Sequence, residues 1–336
     1  MLDLYFEENY GQLYEEIEGG TCEVFEFESP LGKVRHLFLK RKIPYMIQDE
    51  VFYDAVTPYG YGGPLVVQSS GDKGQLTAQF MTAFEEYCRQ HKIVCEFVRF
   101  HPIFENALDF QERYQVDFNR NTIQTNLADY DDPILHEYSA SCRRDIRHAL
   151  KEGVTYEVIR NPSDLKPFIQ IYHSTMKRNS AESIYYYDEH YFRKCIELFG
   201  ENLVLVEVSY QGEVIGRSLN FVWKNLIHAH LTGTLQEFHH LAPAYVQQYA
   251  LALWGKENGI TLIHHGGGRT REPDDKLYLF KKKFGRNSER QYYTGRKIWN
   301  EQVYTQLCEE AGITGNLDFH ASFWRNLQLV TTETKE

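Results

Sequence analysis

The sequence lacks several patterns that usually indicate a cofactor or a metal. No C-x-x-C pair occurs, which argues against a zinc ribbon and a dithiol redox site. Neither G-x-G-x-x-G after a strand nor G-x-x-x-x-G-K-S/T is present, so no dinucleotide or P-loop site is predicted. The cysteines are scattered singly and are expected to be reduced and buried: Cys22, Cys88, Cys95, Cys142, Cys195 and Cys308.

Long hydrophobic runs are also missing. No stretch approaches the roughly 18 apolar residues of a membrane-spanning helix, and the acidic N-terminus lacks the basic-then-apolar order of a secretion signal. We therefore expect a cytoplasmic protein with no integral membrane insertion. The 336 residues are 42% hydrophobic and 25% charged, an ordinary globular mixture. At about 150 residues per domain, this length predicts two domains.

Basic residues are fewer than acidic ones, but they are unevenly distributed. The formal net charge of −11 argues against a generic nucleic-acid binder, and no DNA partner is expected. Residues 269–297 nevertheless hold ten basic and four acidic residues, a local charge of +6. This segment is a candidate site for a phosphate-bearing substrate.

The hydrophobic patterns predict an α/β (α+β) fold with mixed, antiparallel-rich sheets flanked by helices. Strands are expected at 22–28, 34–39 and 93–100, and Asp72 can cap a helix between the second and third. Further strands are expected at 203–208, 214–222, 225–231 and 261–265, with a helix opened by Pro243 before the last. We place a boundary near the helix expected at about 136–151, which divides the chain into domains 1–150 and 151–336. Each half has paired strands, a long helix and a strand entering an unusual loop.

The most distinctive loop is His264-His265-Gly266-Gly267-Gly268-Arg269, followed by Asp274-Asp275 and a helix that ends in Phe280-Lys281-Lys282-Lys283. Three glycines at a strand end let the backbone turn sharply and approach a ligand closely. A lysine fixed beside an acyl carbon can stabilise the oxyanion of a tetrahedral intermediate. The alternative is a plain tight turn before a solvated lysine run.

Two motifs in the first half form a second candidate site. Glycines alternate with tyrosines in Tyr59-Gly60-Tyr61-Gly62-Gly63-Pro64, which could line a sugar or peptide site or form an irregular surface loop. Arg99-Phe100-His101-Pro102 follows a predicted strand. Arg99 can pair with a phosphate or carboxylate, and His101 is a candidate general base or a structural hydrogen-bonding residue.

Two weaker patterns remain. Arg143, Arg147 and Lys151 share one helix face, which could grip phosphates or simply be solvated. His228-x-His230 points two imidazoles to one side of a strand, but spacing supplies no third ligand, and no metal is predicted.

At these motifs the sequence resembles the FemABX family, non-ribosomal peptidyltransferases built from two GNAT-like domains. It is also similar to FemAB-like acyltransferases found with bacterial surface-polysaccharide genes. The resemblance covers most of the chain, and these segments carry it: 59–64, 99–102, 142–147, 172–178, 266–268 and 274–281.

The resemblance implies an aminoacyl-tRNA donor, with acyl-CoA used by some relatives, and an amine on a peptidoglycan precursor as acceptor. The lysine of the family's F-K motif, which faces the reacting carbonyl, falls on Lys281 after Phe280. The acidic residue of the family's R-F-D-P motif falls on His101, where this chain departs from the pattern. No permanently bound cofactor is implied.

We therefore expect an N-acyltransferase in which an amine of a cell-wall or surface-polysaccharide precursor, a sugar or a peptide, attacks the donor directly in the cleft between acceptor-side (1–150) and donor-side (151–336) domains. Lys281 and His101 are the expected catalytic residues. Residues expected to bind substrate are Arg99, Tyr59, Tyr61, Gly62, Gly63, Gly266, Gly267, Gly268 and Phe280, and those expected to bind donor phosphate are Arg269, Lys282, Lys283, Arg143 and Arg147. The alternative is a catalytically silent module that binds tRNA or a nucleotide-linked glycan.

Overall fold

A computed structural model describes residues 2–311 of the chain. Residues 312–336, the end of the expected second domain, lie outside this range. The helices are α1 Glu8–Glu18, α2 Lys73–Gln90, α3 Asn106–Phe110, α4 Pro133–Glu137, α5 Ala140–Lys151, α6 Lys166–Arg178, α7 Glu189–Phe199, α8 Pro243–Glu257, α9 Lys276–Lys282 and α10 Glu301–Glu310. The strands are β1 Gly20–Ser29, β2 Gly32–Ile47, β3 Glu50–Val56, β4 Leu65–Ser69, β5 Ile93–Arg99, β6 Gln115–Asn126, β7 Thr155–Arg160, β8 Leu203–Tyr210, β9 Glu213–Trp223, β10 Leu226–Thr234, β11 Leu262–Gly267 and β12 Glu289–Ile298.

Capping residues define where the predicted helices begin. The Asp72 carboxylate accepts hydrogen bonds from the Gly74 and Gln75 amides at 2.7 and 3.2 Å, so α2 begins where the sequence predicted. The helix buries Leu76, Phe80, Phe84 and Cys88 in the core. Pro243 opens α8 at the first helical position, where its missing N–H costs nothing.

Within residues 2–311 the chain divides into two compact units, residues 2–119 with 292–311 and residues 120–291. In the first unit the sheet order is β1-β2-β3-β5-β12, and β4 pairs with β2. The pairs β1–β2, β2–β3 and β5–β12 are antiparallel, and β3–β5 is parallel. Helix α2 connects β4 to β5, the strand that pairs in parallel with β3, and packs its phenylalanines on the sheet.

The second unit repeats this pattern. Its sheet order is β7-β8-β9-β10-β11-β6. Only β10–β11 is parallel among its pairs, and α8 is the crossover helix before β11. The two parallel strands pair only over residues 226–228 and 262–264, so their remaining lengths are not hydrogen-bonded to each other. Mixed α/β architecture with antiparallel-rich sheets is thus confirmed.

The unit boundaries differ from the expected division at residue 150. That position lies within α5, inside the second unit. The final strand of each sheet comes from the other part of the sequence: β12 completes the first unit's sheet and β6 the second's. A boundary drawn by following the sequence in order cannot anticipate such an exchange, because strand pairing is decided by tertiary packing.

Two local predictions differ from the structure. The helix expected at 136–151 is broken at Tyr138, whose extended backbone (φ −84°, ψ 138°) separates α4 from α5, and Ser139 caps the latter. Helix α1 was not predicted. Its buried side, Tyr10, Leu13 and Tyr14, is rich in tyrosine and gives only a weak apolar pattern.

The cores are dominated by aromatic and branched side chains. In the first unit Phe38, Phe80, Phe84 and Phe110 are all fully buried, and each such side chain contributes about 2–3 kcal/mol through removal of apolar surface from water. Among residues 2–311, no helix combines the length and apolar character needed to cross a membrane.

Candidate functional site

The triple-glycine loop lies at the end of β11, in the second unit. Gly266 has φ 73°, a left-handed conformation that favours glycine, and the pairing of β11 with β6 shifts register there. Gly268 is required for a different reason: a Cβ atom would lie 2.4 Å from the Asp275 carboxylate and 3.0 Å from Tyr278 Cβ. The loop therefore folds tightly against the start of α9.

Asp275 organises this turn. Its carboxylate accepts hydrogen bonds from the amides of Arg269 (3.1 Å), Thr270 (3.0 Å) and Tyr278 (2.8 Å). Partial burial opposes ionisation of Asp275, but these hydrogen bonds outweigh it and lower the pKa of the carboxyl below its usual value. One side chain thus caps α9 and fixes the loop that precedes it.

Lys281 lies on α9 and reaches back to this loop. Its ammonium donates to the Gly267 carbonyl oxygen at 2.7 Å. Desolvation lowers the pKa of Lys281 to about 8, and the positive charge of Arg120 acts in the same direction, whereas Asp275 opposes it. At pH 7 most molecules still carry the ammonium, but its proton is lost more readily than that of an ordinary lysine.

His265 lies beside this lysine in a neutral form. Burial, reinforced by the charge of Lys281, lowers the pKa of His265 to about 3. The Thr125 hydroxyl donates to the Phe284 carbonyl at 2.8 Å, so it accepts the hydrogen bond from His265 Nε2 at 2.7 Å. A neutral imidazole next to the ammonium adds no competing positive charge to the site.

In the first unit the glycine–tyrosine loop is held by its neighbours. Gly60 and Gly63 have φ values of 103° and 82°. The Asn106 amide donates to the carbonyls of Gly62 (2.8 Å) and Pro64 (2.9 Å). Tyr61 contacts the rings of Tyr5, His101 and Tyr292 edge-on, and the Tyr59 carbonyl accepts a hydrogen bond from Tyr10 at 2.8 Å. The loop is an ordered, aromatic part of the unit.

The structure brings Arg99 and His101 to this loop. The Arg99 amide donates to the Thr57 hydroxyl at 2.9 Å, and its guanidinium donates to the Thr57 carbonyl. His101 is buried, with Nε2 2.8 Å from the Asp3 carboxylate, and its Nδ1 accepts from the amides of Ile103 (3.2 Å) and Phe104 (3.3 Å). Both ring nitrogens are therefore engaged, a geometry that favours a structural role over the predicted role as a general base.

Three of the five residues expected to bind donor phosphate have contacts inside the protein. Lys282 lies 2.6 Å from Glu289, Lys283 donates to the Tyr245 hydroxyl at 2.6 Å, and Arg143 donates to the Leu135 and Tyr138 carbonyls. The other two, Arg147 and Arg269, are exposed. These three cationic groups are thus held by Glu289 of β12, by Tyr245 of α8 and by carbonyl groups at the end of α4.

The structure also gives the surroundings of Phe280 and of the two histidines on β10. Phe280 stacks on Tyr245, with ring centroids 5.6 Å apart, and packs on the second unit's core rather than standing in solvent. The strand that carries His228 and His230 has a bulge between residues 229 and 231, and His230 Nε2 lies 2.6 Å from the Tyr191 hydroxyl. Within residues 2–311, no group of three His, Cys, Asp or Glu side chains is arranged to hold a metal ion.

Sequence reasoning missed four residues that shape these sites: Asp3, Asn106, Arg120 and Thr125. Each acts through a partner distant in sequence; Arg120, for example, donates to the carbonyl of Gly268. None lies in a recognisable motif, so no signal in the sequence identifies them.

Comparison with known proteins agrees with this geometry. Residues 137–282 match the family described as "Acetyltransferase (GNAT) domain". The UDP-N-acetylmuramoylpentapeptide-lysine N(6)-alanyltransferase of Weissella viridescens is 21% identical over 178 residues, 52% of this chain and 52% of that protein. The match therefore spans about half the length of this curated relative.

Solved structures show the same fold over most of the chain. The crystal structure of FemX has a TM-score of 0.69 at 16% identity and covers 90% of this chain and 94% of that one. L-PGS from Bacillus licheniformis has a TM-score of 0.52 at 14% identity, and the match covers 94% of this chain and 100% of that one. Residues 137–282 are thus similar to a GNAT acetyltransferase domain. Over most of its length the chain shares the fold of FemX.

Proposed function

We propose that this protein is an N-acyltransferase of FemAB type, which transfers an acyl or aminoacyl group to an amine on a cell-wall or surface-polysaccharide precursor. The observation that carries the proposal is the position of Lys281, whose ammonium lies 2.7 Å from the Gly267 carbonyl oxygen beside the triple-glycine loop. The similarity to a UDP-N-acetylmuramoylpentapeptide-lysine alanyltransferase supports a cell-wall precursor as the acceptor class.

The reaction is a direct acyl transfer. The acceptor amine attacks the carbonyl carbon of the donor ester or thioester, and the carbonyl oxygen becomes an oxyanion. The Lys281 ammonium stabilises this developing charge, since it already holds a carbonyl oxygen in a partly desolvated position. Collapse of the intermediate breaks the bond between the acyl carbon and the donor oxygen or sulfur. The proton lost by the new amide nitrogen passes to this leaving group, which departs as an alcohol or thiol.

The two candidates for the group that first accepts this proton are His101 and a phosphate of the bound substrate. His101 has both ring nitrogens engaged, so we favour a phosphate of the bound substrate as the group that takes the proton. A catalytic role for His101 stays a prediction that requires its hydrogen bonds to Asp3 and the two amides to be broken.

The first test is Lys281→Ala. Removal of one oxyanion-stabilising group should lower turnover by about a hundredfold or more, with the folded state retained because Lys281 lies on a short, partly exposed helix. Turnover is measured as amide formation on an amine acceptor from charged tRNA and, separately, from acyl-CoA. Near-normal turnover in the variant would overturn the assigned role.

The same assay distinguishes the silent-module alternative. Saturable binding of tRNA or of a nucleotide-linked glycan, without acyl transfer from either donor, would replace the enzyme proposal with a binding function. A matched control is Lys276→Ala, an exposed lysine on the first turn of the same helix, which should keep wild-type turnover.

A further inference from the structure

Arg120 lies next to both parts of the proposed site, the triple-glycine loop and Lys281. Arg120 lies on β6, the strand that pairs with β11 in front of the triple-glycine loop. Its guanidinium donates to the Gly268 carbonyl, while Lys281 donates to the neighbouring Gly267 carbonyl at 2.7 Å. Two cationic side chains therefore hold two consecutive carbonyl oxygens of one loop.

The side chain of Arg120 also explains why position 267 is glycine. Gly267 has no positive φ, so backbone conformation does not require glycine there. A Cβ atom at this position would lie 2.8 Å from Arg120 Cδ and 3.1 Å from Arg120 Cγ. The arginine stem, together with the Asn121 carbonyl oxygen at 3.1 Å, occupies the space that a side chain would need.

We propose that Arg120 is a positioning residue of the acyltransferase site, which fixes the triple-glycine loop so that Lys281 is held at the place where the oxyanion forms. The inference rests on the proposed role of Lys281 and adds the group that orients it. Arg120 acts through the loop and through its charge, and not by contact with the reacting atoms.

Its charge has a measurable consequence. The charged and titratable groups around the Lys281 ammonium are Asp275 before α9, Arg120 on β6 and neutral His265 on β11. Desolvation and Arg120 lower the pKa of Lys281 and Asp275 raises it. Loss of the arginine charge should therefore move this pKa upward from about 8, toward the ordinary lysine value of 10.5.

The experiment labels the Lys281 amine with acetic anhydride, a small amine-reactive reagent, over a range of pH. The extent of labelling at each pH is read by peptide mass spectrometry. Arg120→Gln keeps a polar side chain but removes the charge, and its labelling midpoint should move to higher pH. Arg120→Lys restores the charge and should return the midpoint toward the wild-type value. Arg271→Gln, which removes an exposed cation of the same segment, should leave the midpoint unchanged.

Turnover is measured on the same variants. Arg120→Gln should lower it by about tenfold or more because the loop that places Lys281 loses its anchor, and the loss on the alkaline side of the pH profile should move to higher pH with the labelling midpoint. An unchanged midpoint in Arg120→Gln, with the variant folded by circular dichroism, would overturn the inference.

Failure of the proposed function gives a different result. If Lys281→Ala retains turnover but Arg120→Gln still shifts the labelling midpoint, Arg120 positions Lys281 while the oxyanion role is wrong. If the midpoint does not move and Lys281→Ala is inactive, the proposed function stands and the inference about Arg120 falls.

Discussion

At the scale of single residues, Lys281 shows how the surroundings set chemistry. The same side chain in solution has a pKa near 10.5, and desolvation by its neighbours brings the pKa of Lys281 to about 8. The group is thus cationic at neutral pH yet close to its titration range. Its role is therefore visible in a pH profile.

We predict that turnover falls as pH rises through about 8, because Lys281 then loses the proton that stabilises the oxyanion. Lys281→Arg keeps its charge at every accessible pH, so its residual activity should show no such alkaline loss. The measurement is kcat between pH 6 and 10 with saturating acceptor. An alkaline limb that persists unchanged in Lys281→Arg would assign that limb to another group.

His101 is, in contrast, a titratable residue whose two ring nitrogens both have partners within the protein. We predict that His101→Gln lowers the free energy of unfolding by about 2–4 kcal/mol, because the buried Asp3 carboxylate loses its contact with the His101 ring. Asp3→Asn should destabilise the protein similarly. Urea unfolding measures the stability, and kcat is measured where the variants are folded. A hundredfold loss of kcat with unchanged stability would instead identify His101 as the base.

At the scale of elements, α9 depends on a single cap. Asp275 satisfies amides of the helix and of the glycine loop together, so one substitution disturbs both. The neighbouring Asp274 is exposed and provides a matched control on the same turn.

We predict that Asp275→Ala lowers the free energy of unfolding by about 1 kcal/mol at pH 7, and that Asp274→Ala has little effect. The folded-state pKa of Asp275 is lowered, so its contribution is present above the unfolded pKa and is lost as pH falls through the folded one. The stability difference from wild type should therefore shrink in acid. Thermal unfolding followed from pH 7 to pH 3 checks this; a difference that grows in acid would contradict it.

At the scale of the whole molecule, net charge is a poor guide to the donor. The −11 average hides the basic segment at 269–297, but the structure shows that several of its cations have internal partners, including Lys282, Lys283 and Arg296. Of the five residues expected to bind donor phosphate, Arg147 and Arg269 are exposed.

We predict that a tRNA donor, if used, binds with strong salt dependence and that the double variant Arg147→Gln, Arg269→Gln reduces the slope of log affinity against log salt by about 2. Filter binding of charged tRNA across salt concentrations measures the slope. Arg113→Gln, a partly exposed cation of the first unit, is the control. Retention on a CoA resin with no tRNA binding would identify acyl-CoA as the donor.

The sequence by itself determined the elements and the chemistry at their ends. Asp72, Pro243 and Asp275 fix where helices begin, because capping and proline geometry are local. The triple glycine and Lys281 were recognisable together because Lys281 lies on the short helix that follows the glycines. Mixed α/β architecture followed from the order of strand and helix patterns.

The tertiary structure alone decided which strands complete which sheet and what surrounds each candidate residue. Strands β6 and β12 each complete the sheet that a sequential division would assign to the other part of the chain. Asp3 meets His101, and Arg120 meets Gly268, across long sequence separations. Burial and hydrogen-bond partners of this kind set pKa and orientation, and they arise only when distant segments pack together.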